Sequence, residues 1–408
     1  MSFAERANIG FADSGAVTAF GRLRAAQPVS LFQSKLLADA RPLDWDDAQT
    51  SGAGTSSTYN TNQASVTLGV GVTTAGTRVR QSKVWFNYQP GRGQLVLMSA
   101  VIGAGLAGIT RRVGLFETNN GLYFELAGTT LNVVRRTFTS GVVVNNAVPQ
   151  ASWNIDKMNG SGPSGITLDT SKTNIYVIDF EWLGVGRVRM GVNVNGVTFY
   201  CHEFLNANNL TLVYMQIPNL PCRYEISNDG TAASASLVCI CCNVSAEGGA
   251  TEVGQTFSAS RTAVMTTLNS TVIFPLISIR RQANRSYVFV SPVNVDLVCS
   301  TAATVFNWYL ILNPTVAGVA LAFTGISGSV IEADLVSTNA TSVTGGTIIQ
   351  GGTAAAGTKS TVETTSQVSD FRLGVTLANV QDIIVLAVQR LTGTTESFYG
   401  TINWHESY

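Results

Sequence analysis

From about residue 66 onward, apolar and polar positions alternate with a period of two. SVTLGVGV, RVRQSKVWFNYQ, RRVGLFETNNGLYFELAG, NIYVIDFEWLGVGRVRMGVNVNGVTFYCHEF and ASLVCICCNV all carry it. Side chains of a strand point alternately to its two faces, so this pattern predicts half-buried strands. Asn120-Gly121 and Asn195-Gly196 sit between such runs and predict tight hairpins. Arg187, Arg189, Gly191 and Asn193 fall on one face of a strand, and Val188, Met190, Val192 and Val194 on the other, the core face. No long helical pattern follows residue 48, and many short strands at regular spacing predict sandwiches or barrels. Residues 1–65 differ: an arm with short helical patches and two prolines, then a Ser/Thr/Gly-rich surface linker, Ser51–Ser65. A second linker, Ala246–Thr256, precedes a restart of the alternation. The expected architecture is all-β, with two β-sandwich domains at 66–246 and 247–408, preceded by an extended N-terminal arm that docks on the chain's own body or on a neighbour.

Composition narrows the class. Charged residues make up 12% of the 408, and formal net charge is +0. Nucleic-acid binding needs a surplus of Lys and Arg, and none exists here. So little surface charge predicts a chain that buries surface in an assembly. Basic residues are 20 Arg and 5 Lys. That ratio fits interfaces, where Arg is enriched and Lys depleted, or else coding bias. Apolar runs are strand-length, so no membrane span is expected, and MSFAERANIGFADSG lacks the apolar core of a signal peptide. The six cysteines lack disulfide-framework spacing and read as buried free thiols made in a reducing compartment.

Candidate chemistry is sparse. Gly184-Val185-Gly186 after a strand resembles the opening of a dinucleotide turn, but position 189 is Arg and a strand follows where a helix is needed. The glycines therefore predict a turn or bulge. Asp179 and Glu181, at i and i+2, share a strand face at a spacing open to glycoside hydrolysis. Their other reading is pairing with Arg187 or Arg189 on the next strand. In the loop Trp153–Ser171, Asp156, Asn159 and Asp169 could offer hard oxygens to Ca²⁺ or simply brace turns as Asx side chains. His202, His405 and the Cys239–Cys242 run do not make a metal site. Trp153 and Trp182 are the candidate sugar-stacking rings. The candidate ligand-binding residues are thus Trp153, Asp156, Asp179, Glu181 and Trp182, with no catalytic residue, metal or cofactor expected.

Three resemblances add to this. IDFEW resembles the catalytic strand of jelly-roll glucanases, with Val177 where that family carries a third carboxylate. RRVGLFETNNGLYFEL, WNIDKMNGSGPSGITLD and NIYVIDFEWLGVGRVRMGVNVNG with HEF resemble a lectin-type jelly roll of the laminin-G or concanavalin sort, which implies that fold for 66–246. PVSLFQSKLLADARPLDWDD, WNIDKMNGSGPSG, EWLGVGRVRMGV, YMQIPNLPCRYEI and SAEGG resemble uncharacterised virion structural proteins of tailed phages and other large double-stranded DNA viruses. That implies a virion component made in the host cytoplasm, whether capsid-associated, decoration, neck, baseplate or fibre, with no functional residues carried over. Its expected partners are itself, as a homotrimer or higher oligomer, and other virion proteins. A carbohydrate-binding module for host attachment, engaging surface glycans, is the alternative, and a glycan-cleaving enzyme the third reading.

Overall fold

The computed structural model describes residues 17–19, 28–249, 253–267, 272–299, 304–318, 320–335, 342–355, 360–363, 371–393 and 396–408. Among these there is no α-helix, only two single 3-10 turns at Thr61–Gln63 and Gln150–Ser152. The protein is all-β. It divides into two compact units: residues 1–82 with 86–251, and residues 83–85 with 252–408.

The first unit carries β1 (Val29–Ser34), β2 (Trp45–Gly52), β3 (Thr55–Asn60), β4 (Ser65–Val70), β5 (Gly76–Ser82), β6 (Gly93–Val101), β7 (Ile109–Phe116), β8 (Gly121–Ala127), β9 (Thr130–Thr137), β10 (Val144–Pro149), β11 (Asn174–Phe180), β12 (Val188–Val194), β13 (Val197–Phe204), β14 (Cys222–Asn228) and β15 (Ala235–Glu247). Two antiparallel sheets result. The first runs β13-β12-β11-β6-β15-β4-β3, with β1 also paired to β15, and the second β10-β9-β8-β7-β14-β5-β2. Between them lie Tyr176, Ile178 and Phe180 of β11 and Val188, Met190 and Val192 of β12, all buried as the alternation predicts. Tyr176 meets Phe124 of β8 at 4.9 Å between ring centres, which joins the two sheets.

The second unit repeats the principle with β16 (Gln255–Thr267), β17 (Phe274–Arg281), β18 (Phe289–Cys299), β19 (Val305–Leu312), β20 (Thr315–Ala317), β21 (Thr324–Gly325), β22 (Ile331–Asp334), β23 (Ser342–Thr344), β24 (Thr347–Ala355), β25 (Ser360–Glu363), β26 (Ile383–Arg390) and β27 (Glu396–Ser407). Its sheets, β16-β27-β18-β25 and β21-β22-β17-β26-β19-β24, enclose Leu276, Leu297, Trp308, Leu310, Leu386 and Trp404. The small pair β20-β23 is a separate two-stranded sheet whose Val343 packs with Ile311, Val385 and Ala387.

Several expectations shift in detail. From Val29 on, the arm docks on the chain's own body, because β1, β2 and β3 all pair into the first unit's sheets. The expected linker Ser51–Ser65 holds the whole of β3, since TSSTYN suits a polar edge strand. Of the second linker, residues 250–252 lie outside the described residues, and its ends belong to β15 and β16. Asn195 (φ 52°) and Gly196 (φ 84°) make the predicted two-residue turn. The turn at Asn120-Gly121 is wider: Phe116 pairs with Gly121, and Glu117 Oε1 accepts from the Asn120 backbone and side-chain nitrogens at 2.6 and 3.0 Å. The β11–β13 meander lies at one end of its sheet, with β13 at the edge. All six cysteines are free, with Cys241 part-exposed and the rest buried.

Arginine is used inside the fold. On the outer face of the second sheet, Arg112 bonds Glu125 at 2.7 Å and pairs with Glu225, while Arg223 reaches Glu225 at 2.5 Å. Arg136 lies over Tyr123 and Phe116, and Arg223 over Phe116. Burial pushes the Tyr123 hydroxyl up to about 12, against the pull of Arg136 and Arg112. Burial alone would raise Glu225, but the Arg223 and Arg112 charges outweigh it and hold the carboxyl below its usual value. Planar guanidinium groups can stack and fork at once, which an ammonium cannot do. Interface and coding bias are therefore not needed to explain this share of the Arg excess.

Gly114 of β7 sits under this lattice. A Cβ there would stand 2.3 Å from the Leu122 carbonyl oxygen and 2.7 Å from the Tyr123 Cβ. Backbone on a paired strand cannot yield, so Gly114→Ala should destabilise the first unit by about 2 kcal/mol or more. Urea unfolding followed by tryptophan fluorescence measures this, and an unchanged midpoint would contradict it.

Candidate functional site

Of the sequence candidates, Asp179 lies on the outer face of the first sheet. Asp179 and Val177 point away from the sandwich core on β11, and Arg189 lies directly opposite Asp179 on β12. Arg189 Nε donates to Asp179 Oδ2 at 3.1 Å, and its Nη2 makes a second, shorter bond to the same oxygen. The Tyr200 hydroxyl of β13 donates to Asp179 Oδ2 at 2.8 Å, and the Tyr200 ring lies 4.1 Å from the guanidinium carbon. Asp179 and Arg189 are both 0% exposed.

What seals them is the N-terminal segment. Arg189 Nη2 donates to the Val17 carbonyl at 2.6 Å, and Arg187 donates to the Ala19 carbonyl at 3.0 Å and the Thr18 carbonyl at 3.4 Å. Arg187 also faces Glu203 at 3.4 Å. Val17, Thr18 and Ala19 are themselves buried. The two arginines therefore act as a receptor for backbone carbonyls, and three residues of the arm form a lid over the carboxylate. Of the two expected partners, Arg187 and Arg189, it is Arg189 that pairs with Asp179, while Arg187 turns to the arm and Glu203. Nothing in the sequence signals Tyr200 or residues 17–19 at this place.

Glu181 lies one residue past the end of β11, where the chain turns. Its N–H donates to the Arg187 carbonyl at 3.0 Å, and its carbonyl accepts from the Tyr214 hydroxyl at 2.6 Å. The glycines of this turn are steric requirements. Gly184 has φ 79°, and a Cβ on Gly186 would stand 2.7 Å from the Glu181 Cβ and carbonyl oxygen. Glu181 is 4% exposed, so neither acid of the expected pair faces solvent. A glycosidase acid and nucleophile must both reach the substrate.

Of the two tryptophans, Trp153 is buried and Trp182 half-buried. Trp153 is 3% exposed, with its indole N–H on the Val148 carbonyl at 3.1 Å. Trp182 donates to the Met215 carbonyl at 2.8 Å and meets Tyr88 edge-on. Elsewhere on the same sheet face a groove of about 370 Å³ is lined by residues such as Leu97, Ile175, Ser99, Asn243 and Lys35, with no aromatic ring among its lining.

The distinctive loop has a structural task. Ile155 and Asp156 N–H groups both donate to the Cys201 carbonyl, and Asn154 exchanges hydrogen bonds with the Glu203 backbone at 3.0 and 2.9 Å. Loop 153–169 thus covers the open edge of β13, a place that sheets must protect. Asp156 accepts from the Met158 and Ser164 N–H groups, both at 2.8 Å. Burial would raise its carboxyl, but these bonds and the Ser164 hydroxyl win and hold it below the usual value. Asn159 and Asp169 each brace the residue two places on, Ser161 and Ser171. These are the Asx turns weighed against a calcium site. Among the described residues, no three His, Cys, Asp or Glu side chains group to hold a metal ion. His202 accepts from the Asn154 N–H at 3.3 Å, and burial pushes its imidazole down to about 4.

No protein-family model and no curated protein sequence matches the chain. Solved structures similar to it include a Bacillus licheniformis β-glucanase, at 12% identity over 54% of this chain and 98% of that one, TM-score 0.34. A legume lectin-like domain from Entamoeba histolytica is similar at 12% identity over 54% and 98%, TM-score 0.31. A native glycosidic hydrolase is similar at 12% identity over 55% and 100%, TM-score 0.36. Likeness at this level bears on neither activity nor ligand, and the sandwich architecture rests on the sheets themselves.

Removing one partner of a sealed ion pair leaves a buried charge, so Arg189→Met should cost about 3–5 kcal/mol. The double variant Asp179→Leu/Arg189→Met should recover a large part of that loss in urea unfolding, whereas strict additivity would contradict the pairing. For pH, a histidine depressed in the folded state contributes stability fully above its unfolded value of 6.5, which is lost as pH falls toward about 4. His202→Gln should flatten that window, where the wild-type slope approaches about 1.4 kcal/mol per pH unit. An unaltered profile would show that His202 titrates normally. Asp156 acts lower still: its contribution is present above the unfolded value of 3.8 and lost as pH falls through its lower folded value.

Proposed function

We propose that this chain is a non-catalytic structural subunit of a virus particle. The observation that carries the non-catalytic part is Asp179: it is held by Arg189 and Tyr200 and covered by Val17–Ala19. A carboxylate so engaged is available neither as a nucleophile nor as a proton donor. The structural role draws on the sequence resemblance to virion proteins and on the low charge of the chain. The internal docking of β1–β3 and of Val17–Ala19 supports it further, because an arm bonded to its own body gives a stiff, self-contained building block.

Mass spectrometry of purified particles should recover this chain in fixed stoichiometry to the major capsid protein. Recovery from infected-cell lysate alone, with none in the particles, would refute the reading. On soluble β-glucans the wild type and Glu181→Gln should be equally inactive, and turnover that Glu181→Gln abolishes would instead establish a glycosidase.

A further inference from the structure

We infer that Cys222 and Cys242 are a redox pair, which closes under an oxidising poise into an intramolecular disulfide tying the two sheets of the first unit together. The inference does not depend on the virion reading. Cys222 opens β14 in the second sheet, and Cys242 lies in β15 of the first. Both are buried, and the Cys222 thiol donates a hydrogen bond to the Cys242 sulfur.

A bulge makes this meeting possible. Strict alternation puts Cys239 and Cys242, three residues apart, on opposite faces of a strand. The register of β15 against β6 shifts between these two residues, and both thiols are turned inward, at 1% and 5% exposure. Cys241 is left part-exposed in the groove beside Ser99 and Lys35. The two sheets also stand close here: Cα atoms of β14 come within 8 Å of those of β15, where stacked sheets are usually ~10 Å apart. The Tyr224 hydroxyl, two residues on from Cys222 along the same face, reaches across to the Cys241 carbonyl at 3.3 Å. A disulfide needs its Cα atoms within about 7 Å, so thiols that already touch across this narrow gap need little movement.

The pair has a way in. The pairing of β15 with β4 ends at Cys239, and its pairing with β1 begins at Cys242. Ile240 and Cys241 thus sit outside both ladders, at the place where the β6 register shifts. A strand opens most readily where its ladder is interrupted. Cys242 borders the groove of about 370 Å³, which gives a small reagent a route to it.

The reaction is exchange with a low-molecular-weight disulfide. The Cys242 thiolate, its proton lost to water, attacks one sulfur of the reagent, whose S–S bond breaks and releases one small thiolate. The Cys222 thiolate, formed in the same way, attacks the Cys242 sulfur of the mixed disulfide and expels the second. The two released thiolates take up two protons, so two protein thiols are oxidised as one small disulfide is reduced. Burial pushes the Cys222 thiol well above its ordinary value, which keeps its thiolate scarce and the exchange slow at neutral pH. The pair therefore stays reduced in a glutathione-reducing compartment and closes on long exposure outside it.

The test is incubation of the reduced full chain, without denaturant, with oxidised glutathione, followed by acid quench, alkylation in urea and peptide mass spectrometry. The six free thiols should fall by two, with Cys222 and Cys242 joined to each other, and dithiothreitol should restore all six. Trypsin cuts after Arg223, so the two cysteines leave on separate peptides and fragmentation assigns the link. Cys241→Ser should close the same bond, and Cys242→Ser should leave Cys222 free. The oxidised wild type should unfold at a higher urea midpoint than the reduced one. Retention of all six thiols, under conditions that oxidise the chain in urea, overturns the proposal. So does a glutathione adduct on Cys241 with Cys222 still free, or a link from Cys222 to Cys239. The wild type alone gives the decisive reading, so a Cys242→Ser chain that failed to fold would leave the test intact.

Discussion

A guanidinium sealed beneath a sheet face needs partners for its donors and its charge, and Arg189 finds them on three stretches of chain. Asp179 supplies the countercharge, Tyr200 a π face, and Val17 a carbonyl. Desolvating such a pair is costly, and it persists only where the geometry satisfies both ions. That requirement fixes the register of β11 against β12, holds β13 through Tyr200, and anchors the arm. The same constraint commits the Asp179 carboxylate to structure.

The second sheet repeats the logic in milder form. Arg112, Arg136 and Arg223 lie among Phe116, Tyr123, Glu125 and Glu225. Both outer faces of the first unit thus hold ordered arginine–carboxylate–aromatic arrays. The Arg-rich, Lys-poor composition serves the fold's interior here.

The strand pattern was legible because it is local. Alternation placed Val188, Met190 and Val192 in the core, and Asn195-Gly196 announced its turn because both residues tolerate positive φ. The Asp179–Arg189 pairing was within reach for the same reason, as neighbouring strands joined by a short turn. The lid was not legible, since its contacts to Arg187 and Arg189 span 168 to 172 residues and run through backbone carbonyls, which carry no side-chain signature. Trp153 misled because a loop tryptophan reads alike whether it faces solvent or anchors the loop. Only the docking of loop 153–169 on the edge of β13 tells the two apart.

The central claim is that the arm closes the Asp179–Arg189 face. Footprinting with an arginine-selective dicarbonyl, read by peptide mass spectrometry, tests it most directly. Arg189 should stay unmodified in the intact chain and become modified once residues 1–19 are removed, with Arg80, which lies outside this face, as the protected internal control. Modification of Arg189 in the intact chain at the rate of an exposed arginine would contradict the account.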